Sequence, residues 1–360
     1  MTPYIFVIIL VIFPVIIEYL SYNFKYDQKC TWLLLLILVL FAGTRFETGN
    51  DWYEYTKVFS NIPSIDTFIT NPVVFGMFRM EPGYILLNSI IKTLGGSIDA
   101  VFFVSAAFTI IVLFCVFKRY SFFCALAVML YMRYGYLQTN MMFVRQGIAI
   151  SILFFSYKYI ILRRPVKFFL SVFIATMFHS SAILSVCFYF IIYREYSNFI
   201  IILSIIVSLC LSFIDISQAL AKILPGFISN SILAYSESEM WGEMGGKFSF
   251  GLLEKIVIAL LCIVYRKQLN KNHYFNIYFN LFVLSIICYF AFFQMYVFQQ
   301  RLSMLLQIAT IPVVISLVGL VHKEQRIYPV FILALLTTYF FINYIQNGEK
   351  VYIPYQSWLF

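Results

Sequence analysis

Six charged or titratable side chains of this 360-residue chain lie within or beside long apolar segments, where they could do chemistry. Arginine binds phosphate and pyrophosphate through paired hydrogen bonds, a carboxylate can accept a proton, and histidine exchanges protons near neutral pH. An ionised side chain at the centre of a bilayer costs at least about 2.5 kcal/mol unless it is paired or hydrated. We therefore expect function at Arg45, Asp51, Glu81, Arg145, His179 and Arg301.

The segment from Gly43 to Tyr55 reads GTRFETGNDWYEY and contains Arg45, Glu47 and Asp51. One interpretation makes a carboxylate here a general base and Arg45 an anion-binding group. The other makes the segment an interfacial loop in which the arginine pairs with its acidic neighbours. The residue types alone leave both interpretations open.

Arg145 and Arg301 each open an apolar segment, in MMFVRQGIA and FQQRLSMLL. We expect Arg145 to lie just inside a span that begins near Met141, a position that a simple membrane anchor does not take. Two such arginines suit a grip on phosphate or pyrophosphate, and the alternative is an arginine–glutamate pair that joins two helices. Glu81 precedes a Pro-Gly helix start, and His179 interrupts an apolar stretch in MFHSSAIL.

The composition decides the class of protein. Hydrophobic residues make up 62% of the chain and charged residues 11%, against about 25% charged in soluble domains. The mean hydropathy is +0.89. These values predict a polytopic membrane protein and exclude soluble enzymes, disordered regions, coiled coils, nucleic-acid-binding domains and secreted disulfide scaffolds. The seven cysteines form no CxxC pair, and no metal site is predicted.

Ten apolar segments are long enough, or nearly so, to be membrane-spanning helices. Two further regions are ambiguous, because residues 82–96 are short and residues 167–193 could cross once or, with a break near His179, twice. The prediction is an all-α bundle with retained N-terminal helix and short re-entrant or interfacial helices. The ten segments are residues 3–20, 31–44, 98–117, 121–137, 141–157, 197–214, 251–265, 274–296, 302–320 and 327–345.

The distribution of basic residues favours one topology. If residues 167–193 cross twice and residues 82–96 do not cross, short loops on one side hold 14 of the 25 Lys and Arg residues, as the positive-inside rule requires. The opposite choice puts the cluster from Lys158 to Lys167 on the outer face. We therefore predict about 12 crossings with both termini outside, in one integral domain, 1–360, with outer loops 45–81 and 215–250. The 14 basic residues are Lys25, Lys29, Lys118, Arg119, Lys158, Arg163, Arg164, Lys167, Arg194, Arg266, Lys267, Lys271, Lys323 and Arg326.

The polar motifs occur in an order that resembles the EpsG family of bacterial polysaccharide polymerases, which overlaps in role with Wzy O-antigen polymerases. The resemblance covers the whole chain, and the ordered set is more specific than any one motif. The motifs are R-x5-D-x3-Y (Arg45, Asp51, Tyr55), EPGY-x3-N (Glu81 to Asn88), RQGIA (Arg145 to Ala149), FHSSA (Phe178 to Ala182), the late Arg301, and a PY tail (Pro354, Tyr355).

The resemblance implies a GT-C-like, metal-independent membrane glycosyltransferase that uses no cofactor and no nucleotide sugar. It implies polymerisation of undecaprenyl-pyrophosphate-linked oligosaccharide repeat units into O-antigen, capsule or exopolysaccharide, on the periplasmic or outer face of the bacterial inner (plasma) membrane. The implied partners are those lipid-linked oligosaccharides, membrane lipid, a flippase and a chain-length regulator, and not nucleic acid. The implied roles are pyrophosphate binding for Arg145, Arg301 and Arg45, proton transfer for Asp51 or else His179, and orientation of the acceptor for Glu47 or Glu81.

Three other functions remain as alternatives. A lipid-linked oligosaccharide flippase or other transporter predicts charges near the membrane midplane and internal repeats, and the sequence shows no repeat. A membrane O-acyltransferase that uses His179 would need a second catalytic residue near the histidine. An O-antigen ligase or a decorating membrane glycosyltransferase shares the reaction class and differs only in its acceptor, so it is the hardest alternative to exclude.

Overall fold

The computed structural model is almost entirely helical, as the composition predicts, and the part of the chain that it describes contains two short strands. It describes residues 1–20, 28–71, 78, 80–120, 123–214, 222 and 250–359. The predicted outer loop 215–250 therefore lies almost wholly outside the described residues, as do 72–77 and 79 of loop 45–81. The chain divides into two units, Met1–Tyr189 with Val321–Phe360, and Phe190–Leu320. The single domain stays a prediction.

The first unit begins with helices on either side of a short strand. They are α1 (Thr2–Leu20), α2 (Gln28–Gly43), β1 (Arg45–Phe46), α3 (Trp52–Asn61), α4 (Ile65–Thr70), α5 (Pro82–Thr93) and α6 (Ile98–Tyr120). Next, α7 (Cys124–Tyr131) continues into two π-helical segments, Met132–Tyr136 and Gln138–Met142. They are followed by α8 (Val144–Ile161), α9 (Pro165–Phe178), a 3-10 helix (Ser180–Val186) and α10 (Phe188–Ile191).

The remaining elements complete the second unit and return to the first. The described helices of the second unit are α11 (Asn198–Leu211), α12 (Phe250–Val264), α13 (Arg266–Leu269), α14 (Phe275–Ala291), α15 (Tyr296–Gln307) and α16 (Thr310–Leu320). In that unit α14 packs against α11, α15 and α16. The chain then forms a 3-10 turn (Lys323–Gln325), α17 (Ile327–Asn347), α18 (Glu349–Tyr352) and β2 (Gln356–Ser357), all in the first unit.

Helix α6 is the centre of the first unit, where it packs against α2 and α8, and α8 packs in turn against α9. Asp99 in the first turn of α6 and Lys118 and Arg119 in its last turn each oppose the charge of the helix dipole at that end. Between them most of the buried residues are apolar, with Val101 and Phe102 fully enclosed, and Ser105 and Thr109 are buried among them. This packing places the first turns of α6 under the polar residues described below.

Two described helices, Ile98–Tyr120 and Lys323–Asn347, are long and apolar enough to cross a membrane. A third span results if the pair Phe298–Gln307 and Thr310–Leu320, bent by 43°, is counted as one. The helices fit an all-α membrane protein. The number of 12 crossings goes beyond what these lengths support and stays a prediction.

The ambiguous regions have definite structures. Helix α9 ends at Phe178, His179 is extended, and a 3-10 helix follows, so the predicted break near His179 is confirmed. The apolar stretch 82–96 forms the 12-residue α5, which at 1.5 Å per residue is about 18 Å long and too short for a bilayer core of about 30 Å.

The predicted boundary between spans 121–137 and 141–157 is wrong. The two π-helical segments carry the first of these helices on to Met142, and the next helix begins only at Val144. Arg145 lies in the first turn of α8, just inside the helix as expected, but the helix starts at Val144 and not at Met141. Hydropathy cannot show this, because π-helical and α-helical turns have the same composition.

Candidate active site

A short loop between α2 and α3, residues 44–51, carries three of the predicted site residues. Its strand β1 pairs antiparallel with β2, so that Arg45 lies opposite Ser357 and Phe46 opposite Gln356. Gly49 has φ +106°, and a Cβ there would stand 2.1 Å from the carbonyl oxygen of Met141. Glycine is therefore required for the loop to approach the second π-helical segment so closely.

The C-terminal segment, residues 349–359, holds this loop from the other side. The amide of Gly49 donates to the carbonyl of Val351 at 3.0 Å, and the hydroxyls of Thr44 and Ser357 are 2.9 Å apart. The Tyr355 ring stacks on Phe41, with centroids 4.3 Å apart, and its hydroxyl donates to the Phe41 carbonyl at 2.7 Å. The loop is therefore fixed by residues from the far end of the sequence.

Arg45 is completely buried at the centre of this arrangement. Its Nη1 donates to the carbonyls of Ala42 (2.9 Å) and Asn140 (2.7 Å), and its Nε donates to that of Thr48 (3.1 Å). The guanidinium also lies over the Phe102 ring, 4.2 Å from its centroid. Burial lowers the pKa of Arg45 to about 10, which still leaves it charged at neutral pH. These contacts favour a structural role, and pyrophosphate binding by Arg45 stays a prediction.

Glu81 and Arg145 form an ion pair between the starts of α5 and α8. Glu81 is the residue before Pro82, which occupies the first turn of α5, where its missing N–H costs nothing. The side chains are 16% and 24% exposed, so the pair is partly open to a ligand. Arg145 also contacts the hydroxyl of the buried Tyr55 and lies 5.8 Å from the centre of its ring.

The residues that follow α9 contact the same ion pair. The backbone N–H of Ser180 donates to Oε1 of Glu81 at 3.1 Å, while Oε2 faces Arg145. The Nδ1 atom of His179 lies 2.7 Å from the Ser181 hydroxyl and accepts the Ser181 backbone N–H at 3.3 Å. In this arrangement a neutral His179 carries its proton on Nε2. Glu81 thus joins three elements that are distant in sequence.

The two carboxylates of the site differ in their electrostatics. Burial raises the pKa of Glu81, but Arg145, the Ser180 N–H and His179 outweigh it, and the pKa of Glu81 lies below its ordinary value. Burial raises the pKa of Asp51, and the attraction of Arg145 offsets this only in part. Asp51 precedes α3 without capping it through its side chain. It is therefore the better proton acceptor, because an effective base has a pKa raised toward the working pH.

Four of the predicted site residues form one cluster. All four lie in the first unit, where the charge of Arg145 acts on both Asp51 and Glu81. The fourth, His179, interacts electrostatically with Glu81. Glu47 is exposed, with a φ of +47°, on the same loop as Asp51. Arg301 is exposed on α15 of the second unit, within the helix and not at its start. Among the described residues no group of three His, Cys, Asp or Glu could hold a metal ion.

Two further polar residues, one at the site and one in the first π-helical segment, were not predicted to have a chemical role. Tyr55 belongs to the first motif, and its spacing of four from Asp51 indicates that both lie on one face of a helix. Arg133 falls within the predicted span 121–137, and an arginine inside a predicted span is itself a signal of function. It lies over the rings of Phe340 and Tyr134, 4.0 and 4.9 Å from their centroids.

Comparison with known families gives one match. The family whose sequence model fits this chain is described as the EpsG family, and the match covers residues 28–357. It therefore includes the loop, the ion pair, the break at His179, Arg301 and β2. No curated protein and no solved structure matches the chain.

Proposed function

The chain belongs to the EpsG family, and from this premise we propose that it joins undecaprenyl-pyrophosphate-linked oligosaccharide repeat units into a polysaccharide at the outer face of the membrane. Membership already makes it a membrane protein of the polysaccharide-polymerase type. The observation that carries the finer proposal is the cluster formed by Asp51, Glu81, Arg145 and His179. It combines a base of raised pKa with a cation that is partly exposed.

The proposed reaction is a glycosyl transfer. The acceptor sugar hydroxyl loses its proton to Asp51 while its oxygen bonds to the anomeric carbon of the lipid-linked donor. The bond from that carbon to the pyrophosphate oxygen breaks, and undecaprenyl pyrophosphate leaves with the electron pair. Arg145 stabilises the charge that develops on the leaving group. His179 is the second candidate for the base. Glu47 is a candidate for orienting the acceptor, and Arg301 is a candidate for a second pyrophosphate contact.

Glu81 has a different role in this scheme. Both of its oxygens are engaged, by Arg145 and by the Ser180 N–H, and its pKa is lowered. A carboxylate in this state is a poor proton acceptor. We assign it the task of holding Arg145 in place beside Tyr55, which leaves the exposed part of the guanidinium for the substrate.

The positions of the basic residues support an outer site. Helix α6 has Ile98 and Phe102 in the apolar cluster under the site and Lys118 and Arg119 in its last turn. Helix α8 has Arg145 in its first turn and Lys158 in its last. The basic ends of both helices are thus opposite the site, and basic ends face the cytoplasm. An outer site also suits a lipid-pyrophosphate donor, because the leaving group itself provides the driving force.

The test is complementation of a deletion strain, with the surface glycan separated on a gel. Arg145→Ala loses about two charge-assisted hydrogen bonds, worth about 1.5–3 kcal/mol each, and should lower polymerisation at least 100-fold. Asp51→Asn loses a general base, worth about 100- to 10,000-fold. Both should abolish the ladder of long chains while single repeat units still reach the surface.

Matched controls separate the site from the rest of the chain. Asp66→Asn changes an exposed carboxylate on α4, and Arg119→Ala an exposed arginine at the opposite end of α6, and both should restore the full ladder. Membrane abundance of every variant is measured in parallel. Loss of all exported repeat units in the deletion strain would favour a flippase. A ladder that survives the deletion and lacks only a side group would overturn the proposal in favour of a decorating transferase.

A further inference from the structure

A basic turn joins α8 to α9 at the end of the first unit that lies away from the candidate site. Helix α8 carries Lys158 in its last turn, residues 162–164 form the connection, and Lys167 follows in the first turn of α9. The backbone N–H of Arg164 donates to the Tyr159 carbonyl at 2.8 Å, which ties the connection back onto α8. Lys167 precedes His179 by twelve residues, or about 18 Å of helix.

This turn collects positive charge that the surrounding chain does not neutralise. Arg119, in the last turn of α6, and Lys167 both repel the ammonium group of Lys158. That ammonium lies 3.2 Å from the centre of the Phe155 ring, whose face attracts cations without carrying a charge. Within the described residues, none of Lys158, Arg164 and Lys167 forms an ion pair with a carboxylate. The turn therefore attracts an anion from outside the chain.

Two of these cations also oppose the dipole of their own helix. Arg164 immediately precedes α9 and Lys167 lies in its first turn, where no acidic residue is present. The N-terminus of a helix carries a partial positive charge, so cations there lower its stability. The positive-inside rule accounts for basic residues on this side of the membrane, but it is satisfied by a lysine anywhere in a short loop. Their convergence on one turn indicates a ligand.

The apolar residues around the turn indicate which kind of anion binds. Val166 is 78% exposed, and Leu170, four residues later on the same face of α9, is exposed as well. A soluble acidic partner would leave these side chains in water, whereas a lipid covers them with its acyl chains. We propose that the turn binds an anionic phospholipid, whose phosphate is held by Lys158 and Lys167 and whose acyl chains contact Val166 and Leu170. This proposal does not depend on the transferase reaction.

The test measures lipid binding to the full-length protein, purified in a neutral detergent, by native mass spectrometry. The probes are phosphatidylglycerol, phosphatidylcholine with the same acyl chains, and soluble polyglutamate. The wild type should bind phosphatidylglycerol at least tenfold more tightly than phosphatidylcholine. The double variant Lys158→Gln with Lys167→Gln should raise the dissociation constant of phosphatidylglycerol at least tenfold and leave that of phosphatidylcholine unchanged.

A matched control removes the same charge from the same predicted side of the membrane. Lys267→Gln with Lys271→Gln changes two exposed lysines of the second unit and should bind phosphatidylglycerol as the wild type does. An equal loss in this control would overturn the proposal, because attraction to the net charge would then explain the binding. Equal affinity of the wild type for the two lipids would also overturn it, and tight binding of polyglutamate would replace the lipid with a soluble acidic partner.

Lys167→Glu tests the turn in a second way. The glutamate provides a carboxylate for Lys158 and suits the first turn of a helix, so the apparent melting temperature without added lipid should rise by about 1–2 °C. Phosphatidylglycerol should then stabilise this variant less than it stabilises the wild type. A fall in the melting temperature, or a gain from phosphatidylglycerol as large as that of the wild type, would overturn the proposal even if the glutamine variants fold poorly.

Discussion

Arg45 lies in the loop 44–51 and Arg145 lies at the start of α8, and the structure gives these two arginines opposite surroundings. Arg45 is fully buried and donates to three backbone carbonyls, of Ala42, Thr48 and Asn140. Arg145 is 24% exposed and pairs with a carboxylate. A buried cation that donates through Nε and Nη1 to three fixed carbonyls determines the shape of a loop. A cation that retains exposure beside a carboxylate can exchange part of its contacts for a ligand.

The largest expected difference between the two is in stability. Arg45→Ala leaves three buried carbonyls without their donor, at about 1–3 kcal/mol each, so we expect a loss of about 3–9 kcal/mol and little protein in the membrane. Arg145→Ala should cost only about 1 kcal/mol, since its ion pair is partly exposed. Immunoblots of membranes and the apparent melting temperature check both. Equal abundance of the two variants would show that Arg45 contributes no more to stability than Arg145 does.

Glycine 49 tests whether the loop depends on its contact with the π-helical segment. Gly49→Ala places a Cβ 2.1 Å from the Met141 oxygen at a φ of +106°, and we expect a loss of about 3 kcal/mol or more. Gly95→Ala is the matched control, with a φ of +79° and nothing within 4 Å, and should cost about 1–2 kcal/mol. If both variants melt alike, backbone strain alone explains the effect and the contact is unimportant.

Glu81→Gln tests how far Arg145 depends on the charge of its partner. The amide keeps the size of the side chain and loses the charge, so stability should fall by about 1 kcal/mol and polymerisation about tenfold through misplacement of Arg145. Because the pKa of Glu81 is lowered, its stabilisation is present above its ordinary value of 4.5 and is lost as the pH falls below it. The stability difference from wild type should therefore vanish in acid. A difference that persists there would show that charge is not its cause.

Asp51→Asn gives the smallest change in stability, and it has the opposite sign. The raised pKa means that the ionised side chain is less favourable in the folded protein than in the unfolded chain. Removing the charge should raise the apparent melting temperature at pH 7 by up to about 2 °C while polymerisation is lost. The gain should shrink as the pH falls toward the ordinary value of 3.8. A lower melting temperature would show that the carboxylate stabilises the loop.

Much of the architecture follows from the sequence because it depends on local composition. The helices of the first unit follow from their apolar runs, and the break at His179 follows from the polar residues that interrupt 167–193. The π-helical turns could not be predicted from the sequence, because their spacing depends on packing. For this reason α8 begins at Val144 and not near Met141, as expected.

The functional residues were predictable by type and less so by role. Arg145 was expected either to bind a phosphate or to form an arginine–glutamate pair between two helices, and the structure shows a pair with Glu81. The burial of Arg45 could not be foreseen, because one of its acceptors, the carbonyl of Asn140, is 95 residues away and has no signature in the sequence. Backbone acceptors are identical at every position, so only the fold reveals which of them a side chain reaches.

Because β1 pairs with β2, the loop 44–51 cannot be completed until the end of the chain has been synthesised. Thr44 and Ser357, whose hydroxyls touch, are 313 residues apart. At about 5–20 residues per second, translation needs about 15–60 s to supply the second after the first. Throughout that interval Arg45 and its loop lack one of the strands that holds them. Nascent chains stalled before residue 351 should therefore expose the loop to protease, and release of the last residues should protect it.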